Sequence, residues 1–206
     1  MAEGDGRALR MLAPYGLFAA AADETMESQT ALAALCPDQG AIALVEPFEA
    51  PAPPGLRVID RGACVQMLAD AVAPGEADIA FTPLGDADAS EMMALASLTR
   101  PGPFFERTHE LGGFIGVRVD GRLAAMAGER MKLTGFTEVS GVCVHPDFRG
   151  AGHARELSRL VARRILDRGE TPFLHAYASN TPAITLYESL GFKLRTNVQL
   201  TVLARA

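Results

Sequence analysis

The chain has no tryptophan, three tyrosines and three cysteines among its 206 residues. A nucleic-acid surface needs a dense basic patch with aromatic rings on which bases stack, so the composition excludes nucleic-acid binding. Cys36, Cys64 and Cys143 are odd in number and widely spaced, which excludes a disulfide framework and a cysteine metal site. We therefore expect reduced thiols, no metal and a cytoplasmic location.

Long hydrophobic runs are also missing. No stretch of about 18 apolar residues occurs, so no membrane-spanning helix and no membrane partner are expected. Residues 11–22 are apolar and follow Arg7 and Arg10, a pattern that mimics a signal peptide. Because this segment is rich in alanine and contains Pro14, we expect it to stay part of a cytoplasmic protein.

The hydrophobic and charged residues are those of a folded domain. They make up 49% and 21% of the chain, which allows one well-packed domain with a small accessory lobe. The net charge is −6, yet residues 145–206 hold nine Lys/Arg and five Asp/Glu. This basic C-terminal part favours an anionic partner.

A strand, a tight turn and a long helix follow one another from Thr137 onward. Thr137–Val144 alternates and is rich in valine, which predicts a strand that Pro146 ends. The turn Arg149-Gly150-Ala151-Gly152-His153-Ala154 then leads into an amphipathic helix. The first amides of a helix have no partners inside it and carry partial positive charge, and glycine lets a ligand approach closely. The turn therefore suits a phosphate group, with Arg149 as a charged donor.

The spacing of this turn narrows the kind of phosphate ligand. A dinucleotide fingerprint would need glycine at position 155, which is Arg155, and the Gly-Lys-Ser/Thr of an ATP-type loop is absent. The pattern Arg-x-x-Gly-x-Ala over residues 149–154 resembles the acyl-CoA pyrophosphate loop of the GNAT superfamily of N-acetyltransferases. On these six residues alone, an ordinary strand–turn–helix remains the alternative.

A second motif strengthens the resemblance. Residues 180–192 read Asn-Thr-Pro-Ala-Ile-Thr-Leu-Tyr-Glu-Ser-Leu-Gly-Phe, which is similar to the Asn-x-x-Ala-x-x-Leu-Tyr-x-x-x-Gly-Phe signature of the same superfamily. Both motifs occur in the superfamily's order, with a helix and a strand between them. The resemblance covers the C-terminal part of the chain and leans toward the glycine N-acyltransferase-like branch.

The resemblance implies an α/β (α+β) GNAT fold, with a mixed, mostly antiparallel twisted sheet splayed at its central strands and flanked by helices. We divide the chain into an N-terminal accessory lobe, residues 1–77, and the acetyltransferase domain, residues 78–206. Ala77–Pro83 is predicted to be the first strand of that domain. Gly141 is predicted to form a bulge that opens a gap beside the central strand.

Three other segments carry specific predictions. Cys64–Ala73 is predicted to be a helix that ends at a Pro-Gly pair, and Phe104–Leu111 a second short helix that ends at paired glycines. Lys193–Arg195 and Val198–Leu203 are predicted to close the sheet as a hairpin.

The resemblance also implies acetyl-CoA as the acyl donor. Main-chain groups of the central strand would pair with the pantetheine arm, and the Arg/Gly turn would hold the diphosphate. Asn180 would bond the arm while it caps its helix, and Ala183 would leave space for the arm. The implied cofactor-binding residues are Val142, Cys143, Val144, Arg149, Gly150, Ala151, Gly152, His153, Ala154, Asn180, Ala183 and Tyr187.

The acceptor residues are assigned by the same resemblance. In this superfamily, the segment between the first two helices of the domain borders the acceptor pocket, so Phe104, Phe105, Arg107 and His109 are candidates. The alternative is that the two phenylalanines belong to the core and the charged groups are solvated.

Two residues are the catalytic candidates. Tyr187 matches the position where the superfamily often keeps a tyrosine beside the CoA sulfur, and a phenol can protonate a departing thiolate. The alternative is a buried tyrosine bonded to the backbone. Glu138 matches the position of a general base in several members, and burial would raise its pKa toward neutrality. The alternative is an exposed carboxylate at the end of a strand.

The expected activity is transfer of an acetyl group from acetyl-CoA to the primary amine of a small-molecule or amino-acid-like acceptor by direct attack. No activated cysteine or serine pair is visible, so no acyl-enzyme is expected. The alternatives are a non-catalytic acyl-CoA-binding regulatory module and a protein or peptide N-terminal acetyltransferase. A homodimer is left open.

Overall fold

The computed structural model describes residues 1–75 and 79–206, which form eleven strands and four α-helices. The strands are β1 (Ala2–Gly4), β2 (Ala8–Met11), β3 (Ala19–Ala21), β4 (Ile42–Glu46), β5 (Leu56–Leu68), β6 (Thr82–Leu84), β7 (Phe114–Val119), β8 (Arg122–Leu133), β9 (Phe136–Val144), β10 (Thr171–Tyr177) and β11 (Lys193–Arg205). The helices are α1 (Met26–Leu35), α2 (Ala89–Thr99), α3 (His153–Asp167) and α4 (Thr181–Leu190). Among these helices none has the length and apolar character needed to cross a bilayer.

Eight strands form one sheet in the order β4-β11-β5-β10-β9-β8-β7-β6. Among the strands that the structure describes in this sheet, only β9 and β10 pair in parallel; every other neighbouring pair is antiparallel. Along β8, Ala125 and Ala127 pack into one buried cluster with α3, whereas Met126 packs into another with α2. Because successive side chains of a strand point to opposite faces, the two helices cover opposite sides of the sheet. The predicted fold class is confirmed.

Helix α3 is held by its apolar stripe. Leu157, Val161 and Ile165 recur every four residues and all three are fully buried against the sheet. Burial of each such side chain contributes about 1.5–3 kcal/mol. The helix axis, and with it the turn at its N-terminus, is therefore fixed relative to the central strands.

Residues 1–75 contribute to the main sheet. Strand β5 lies between β11 and β10, and β4 forms the sheet edge beyond β11. Strands β1 to β3 form a separate small sheet. The proposed boundary between residues 77 and 78, like the start of the predicted strand Ala77–Pro83, lies outside the described residues, and the division stays a prediction. The observed strand there is Thr82–Leu84.

Three secondary-structure predictions were wrong. Residues 64–68 are strand, because Leu56–Leu68 bonds to β10 on one edge and to β11 on the other. A short apolar run does not distinguish helix from strand by its pattern, and partners on both edges decide. Lys193–Arg205 is one strand with a register shift between Leu194 and Thr196, where the hairpin was predicted. Of the predicted helix at 104–111, only a 3-10 turn at Thr108–Leu111 forms.

The central strands separate as expected. Strand β9 pairs with β10 only at Phe136, Thr137 and Glu138, after which β10 continues along β5 alone. Gly141 and Val142 together face the single position between Met126 and Gly128 of β8, which is a β-bulge. The backbone of Gly141 has φ +64°, which L side chains rarely adopt. The predicted bulge and gap are confirmed.

Gly141→Ala is expected to destabilise the fold by about 1–3 kcal/mol through overpacking, on top of the cost of positive φ. A Cβ at this position would lie 2.7 Å from Cε1 of the buried Phe114 ring. Gly135→Ala is the matched control, because Gly135 also has positive φ but a Cβ there would meet nothing within 4 Å. Chemical denaturation measures the free energy of unfolding of both variants. Equal losses of stability would show that the Phe114 ring moves aside without cost.

Candidate active site

The turn before α3 is open toward solvent. Gly150 and Gly152 have φ of +83° and +79°, and Gly152 is the N-cap of the helix. A Cβ at either position would meet no atom within 4 Å. The turn therefore exposes its backbone to an approaching ligand, and both glycines occupy conformations that other residues adopt at a cost.

The backbone amides of this turn are available. The amide of Glu156 makes the first intrahelical bond, to the Gly152 carbonyl at 3.1 Å. Within residues 1–75 and 79–206, the amides of residues 150–154 donate to no protein group, and the Arg149 guanidinium has no ion-pair partner. Such a helix N-terminus attracts anions, and the arginine adds a bidentate donor.

A cavity of about 520 Å³ lies over this turn and beside the central strand. It contains every predicted cofactor-binding residue except Ala151. The sequence reasoning missed its seven other lining residues, which are Thr99, Arg100, Pro101, Phe148, Arg155, Pro182 and Leu186. Their positions depend on how α2 and α4 pack against the sheet, which local patterns do not reveal.

A second, smaller cavity of about 150 Å³ adjoins the first in the gap between β9 and β10. The two share Arg100, Pro101, Val142, Asn180, Ala183 and Tyr187. Phe18 and Val45, from the N-terminal segment, line the smaller cavity. The fold thus joins a large pocket with free amides to a small, partly charged pocket.

Tyr187 lies where the two cavities meet. Its side chain is buried, and its ring packs against Phe192 with centroids 6.0 Å apart. Burial, and then the neighbouring Cys143 thiol, raise the pKa of Tyr187 to about 12. The phenol therefore keeps its proton at physiological pH and can act as a donor into the junction.

Cys143 is a packing residue. Burial raises the pKa of its thiol to about 11, although a hydrogen bond with Thr99 opposes this shift. A thiol that stays protonated is a poor nucleophile. The Cys143 thiol is therefore poorly suited to attack a thioester.

Glu138 forms a buried ion pair. Both carboxylate oxygens accept hydrogen bonds from the Arg130 guanidinium at 2.8 Å, and Nδ1 of His175 lies 2.9 Å from Oε1. Burial by itself raises the pKa of Glu138, but the charge of Arg130 and the hydrogen bonds from His175 and Arg130 together lower it to about 2. The predicted rise toward neutrality was wrong, because the sequence could not reveal the pairing arginine.

His175 and Gln66 extend this cluster toward the surface. The Gln66 side-chain oxygen accepts from Arg195 at 2.6 Å, which turns the Gln66 amide nitrogen toward Nε2 of His175 at 2.9 Å. His175 thus contacts Gln66 through Nε2 and Glu138 through Nδ1. Both ring nitrogens are occupied, so His175 offers no free base to the cavity.

The predicted acceptor residues lie elsewhere. Phe104 packs edge-on against Phe114 at 5.6 Å, and Arg107 is paired with Glu110. None of the four candidates, Phe104, Phe105, Arg107 and His109, lines either cavity. This segment is docked onto the N-terminal hairpin formed by β2 and β3, outside the gap, and the acceptor assignment stays a prediction.

The contact with the hairpin explains this placement. The Arg107 amide bonds to the Pro14 carbonyl at 2.8 Å, Thr108 Oγ1 donates to the Tyr15 carbonyl at 2.9 Å, and the Arg107 guanidinium lies over the Tyr15 ring. These bonds hold the hairpin so that Phe18 reaches the smaller cavity, where Arg130 lies 4.6 Å above its ring. The hairpin therefore closes one side of that cavity.

Asp86, His109 and Glu110 place three potential ligand atoms within 4.8 Å of one another. Both oxygens of Glu110 are already bonded to the Arg107 guanidinium, at 2.5 and 2.7 Å. A cation at this position would lie beside that positive charge, which disfavours metal binding there.

Comparison with known proteins assigns the family. A model of FR47-like proteins matches residues 114–200. A crystal structure assigned to the GNAT family of acetyltransferases, from Novosphingobium aromaticivorans, is 47% identical over 98% of this chain and 90% of that chain, with a TM-score of 0.91. A second structure, a GCN5-related N-acetyltransferase from Kribbella flavida, is 17% identical to this chain. The match covers all of this chain and 89% of that chain, with a TM-score of 0.62, and at this identity it shows the fold alone.

A curated relative matches more narrowly. Mycothiol acetyltransferase from Acidothermus cellulolyticus is 39% identical over 100 residues, which is 45% of this chain. The chain spans 30% of the length of that relative. Together with the near-complete match to the Novosphingobium structure, these findings show that the chain is an acyltransferase and belongs to the GNAT family of acetyltransferases.

Proposed function

We propose that this protein transfers the acetyl group of acetyl-CoA to the primary amine of a small acceptor. The observation that supports this proposal most directly is that the two cavities meet at Tyr187. The larger cavity has the free amides and the arginine that a diphosphate needs, and the smaller one offers a separate space for a second substrate. Direct transfer between two substrates needs this arrangement.

The residues around the larger cavity suit acetyl-CoA. We assign the amides of residues 150–154 and Arg149 to the diphosphate, because both are unoccupied by protein groups among the described residues. The unpaired edge of β9 beyond Glu138 offers main-chain groups to the amides of the pantetheine arm, as an added strand would use them. Asn180 caps α4 by accepting from the Ala183 amide at 3.3 Å, which leaves its side-chain nitrogen free to donate.

In the proposed reaction the acceptor nitrogen attacks the carbonyl carbon of the acetyl group. The new C–N bond forms as the C–S bond breaks, and Tyr187 donates its proton to the departing thiolate. The nitrogen loses its surplus proton to water, and the phenolate regains one from water. The backbone amide of Val142 is a candidate donor to the carbonyl oxygen, since this residue lines both cavities.

We assign Glu138 a positioning role in place of the general base that the resemblance implied. Its oxygens are bonded to Arg130 and His175, and its pKa of about 2 makes it a weak proton acceptor at neutral pH. The carboxylate instead fixes these two side chains in the wall of the smaller cavity. The amine would then react from its neutral form.

The smaller cavity favours a small acceptor over a protein. Phe18 closes one side of it, and its volume is about 150 Å³. A protein or peptide substrate would need a groove that remains open on this side. The glycine N-acyltransferase-like branch remains part of this proposal, because its implied acceptor is small. The cytoplasmic location likewise remains a proposal.

A thiol-release screen tests the function. The purified protein is incubated with acetyl-CoA and a panel of amino acids, small amines and short peptides, and free CoA thiol is measured. We expect release above background with members of the small-amine or amino-acid group. Release with peptides alone would favour N-terminal acetylation of proteins, and binding of CoA without release from any acceptor would favour a regulatory module.

Gly152→Val is expected to weaken CoA binding at least about tenfold, since loss of one charge-assisted hydrogen bond costs about 1.5–3 kcal/mol. A branched side chain would cover the free amides and would not tolerate the φ of +79° at this residue. Gly169→Val is the matched control, because Gly169 has φ +77° with open space around it but lies at the other end of α3. Calorimetric titration with CoA measures both variants, and equal affinity in Gly152→Val would contradict the assignment.

A further inference from the structure

Arg100 has an unusual backbone conformation at the end of a helix. It is the C-cap of α2, with φ +50° and ψ +59°, and its amide bonds to the Ala96 carbonyl at 2.8 Å. Helices commonly give this left-handed position to glycine, since a Cβ there is strained. A long charged side chain kept in a strained conformation points to a role for that side chain.

The guanidinium of Arg100 has no partner in the part of the chain that the structure describes. The residue is exposed, and no hydrogen bond or ion pair joins its side chain to another described residue. It lines both cavities, as Tyr187 does. Arg100 therefore presents an unpaired cation where the two pockets meet.

The other charged groups of the smaller cavity have partners. Arg130 and Glu138 form a bidentate pair, and both ring nitrogens of His175 are held by Gln66 and Glu138. Among the described lining residues, Arg100 is thus the charged group without a hydrogen-bond or ion-pair partner. Such a pocket attracts an anionic group and repels an acceptor that carries additional positive charges.

We propose that Arg100 binds a carboxylate of the acceptor, and that the acceptor is an α-amino acid. This inference rests on the proposed function. The amine must lie near Tyr187 to attack the acetyl group, and Arg100 lines the same junction. In an α-amino acid the carboxylate is attached to the carbon that bears the amine, so both groups fit one junction. Arginine binds a carboxylate through two parallel hydrogen bonds, which also orients the amine.

Matched acceptor pairs test this proposal. Thiol release from acetyl-CoA is measured with alanine, serine, glutamate and phenylalanine, each beside its amide, and with spermidine as a polycation. In the wild-type protein we expect kcat/KM for the preferred amino acid to exceed that of its amide at least about tenfold, the usual scale for a charge-assisted hydrogen bond. Spermidine is expected to be a poor acceptor.

Variants of Arg100 test whether its side chain causes the preference for acids over amides. In Arg100→Gln the ratio of acid to amide is expected to fall about tenfold, and in Arg100→Lys by less, because the charge remains. Comparing this ratio between variants removes the difference in amine pKa between an acid and its amide. KM for acetyl-CoA is expected to stay unchanged. Arg100→Gly is expected to melt at the wild-type temperature or above, since glycine suits the left-handed position, while it loses the preference for acids.

The outcomes distinguish this inference from the proposed function. Equal turnover of acids and amides by the wild-type protein would overturn the carboxylate site and leave the acetyltransferase intact. A raised KM for acetyl-CoA in Arg100→Gln, with the acid preference preserved, would assign Arg100 to CoA and would also overturn the site. Absence of thiol release with every acceptor would overturn both.

Discussion

Tyr187→Phe is expected to lower kcat at least about 100-fold, the lower end of the contribution of a general acid. The variant loses only the hydroxyl, so the ring keeps its contact with Phe192 and the fold should be retained. CoA affinity is expected to change little, because the loop amides and Arg149 are untouched. Thiol release gives kcat, and calorimetric titration gives the affinity.

The matched control for this experiment is Tyr15→Phe. Tyr15 is buried and donates to Glu110 at 3.2 Å, but it lines neither cavity. We expect wild-type kcat in this variant. Since the pKa of Tyr187 is about 12, the donor should stay protonated across the assay range, and activity should not fall between pH 7 and 9. Full activity in Tyr187→Phe would remove the phenol from the mechanism.

Glu138→Gln is expected to cost about 3 kcal/mol of unfolding free energy, because removal of one member of a buried ion pair leaves Arg130 without its counter-charge. The carboxylate is 1% exposed, so water cannot replace the lost partner. Glu188→Gln, at an exposed carboxylate on α4, is the control and should change stability by less than about 0.5 kcal/mol. Chemical denaturation at pH 7 measures both.

The ion pair of Glu138 and Arg130 predicts that the stability of the fold depends on pH. The pKa of Glu138 is lowered from 4.5 to about 2 in the folded state, so its stabilisation is present above about pH 4.5 and is lost as the pH falls toward 2. The stability difference between wild type and Glu138→Gln should therefore shrink over that range. A constant difference would contradict the ion pair. A 100-fold loss of kcat without loss of stability would instead return Glu138 to the role of base.

Local features could be predicted from the sequence. The α3 stripe, the Asn180 cap, the positive φ of Gly152 and the bulge at Gly141 are all present. Each depends on a residue's own conformational range or on neighbours a few positions away, which the sequence displays directly. The predicted cofactor-binding residues could be listed for the same reason, because they lie in three short segments, residues 142–144, 149–154 and 180–187.

Features that depend on distant partners could not be predicted from the sequence. The strand over residues 64–68 was mistaken for a helix, since its hydrogen-bond partners come from β10 and β11. Phe104 and Arg107, predicted from the sequence to border the acceptor, line neither cavity, whereas Phe18, far away in the sequence, lines the smaller one. The charge state of Glu138 followed from Arg130, on the neighbouring strand.

The sequence alone thus located the Arg/Gly turn and the tyrosine that we propose for acyl-CoA, because both lie in short, contiguous motifs whose geometry is local. Only the tertiary structure decided which residues line the smaller cavity, and that Glu138 is paired there while Arg100 has no partner among the described residues. These properties arise where β9 and β10 separate and the N-terminal hairpin packs against the opening. Charge and solvent access there depend on through-space distances that chain order does not contain.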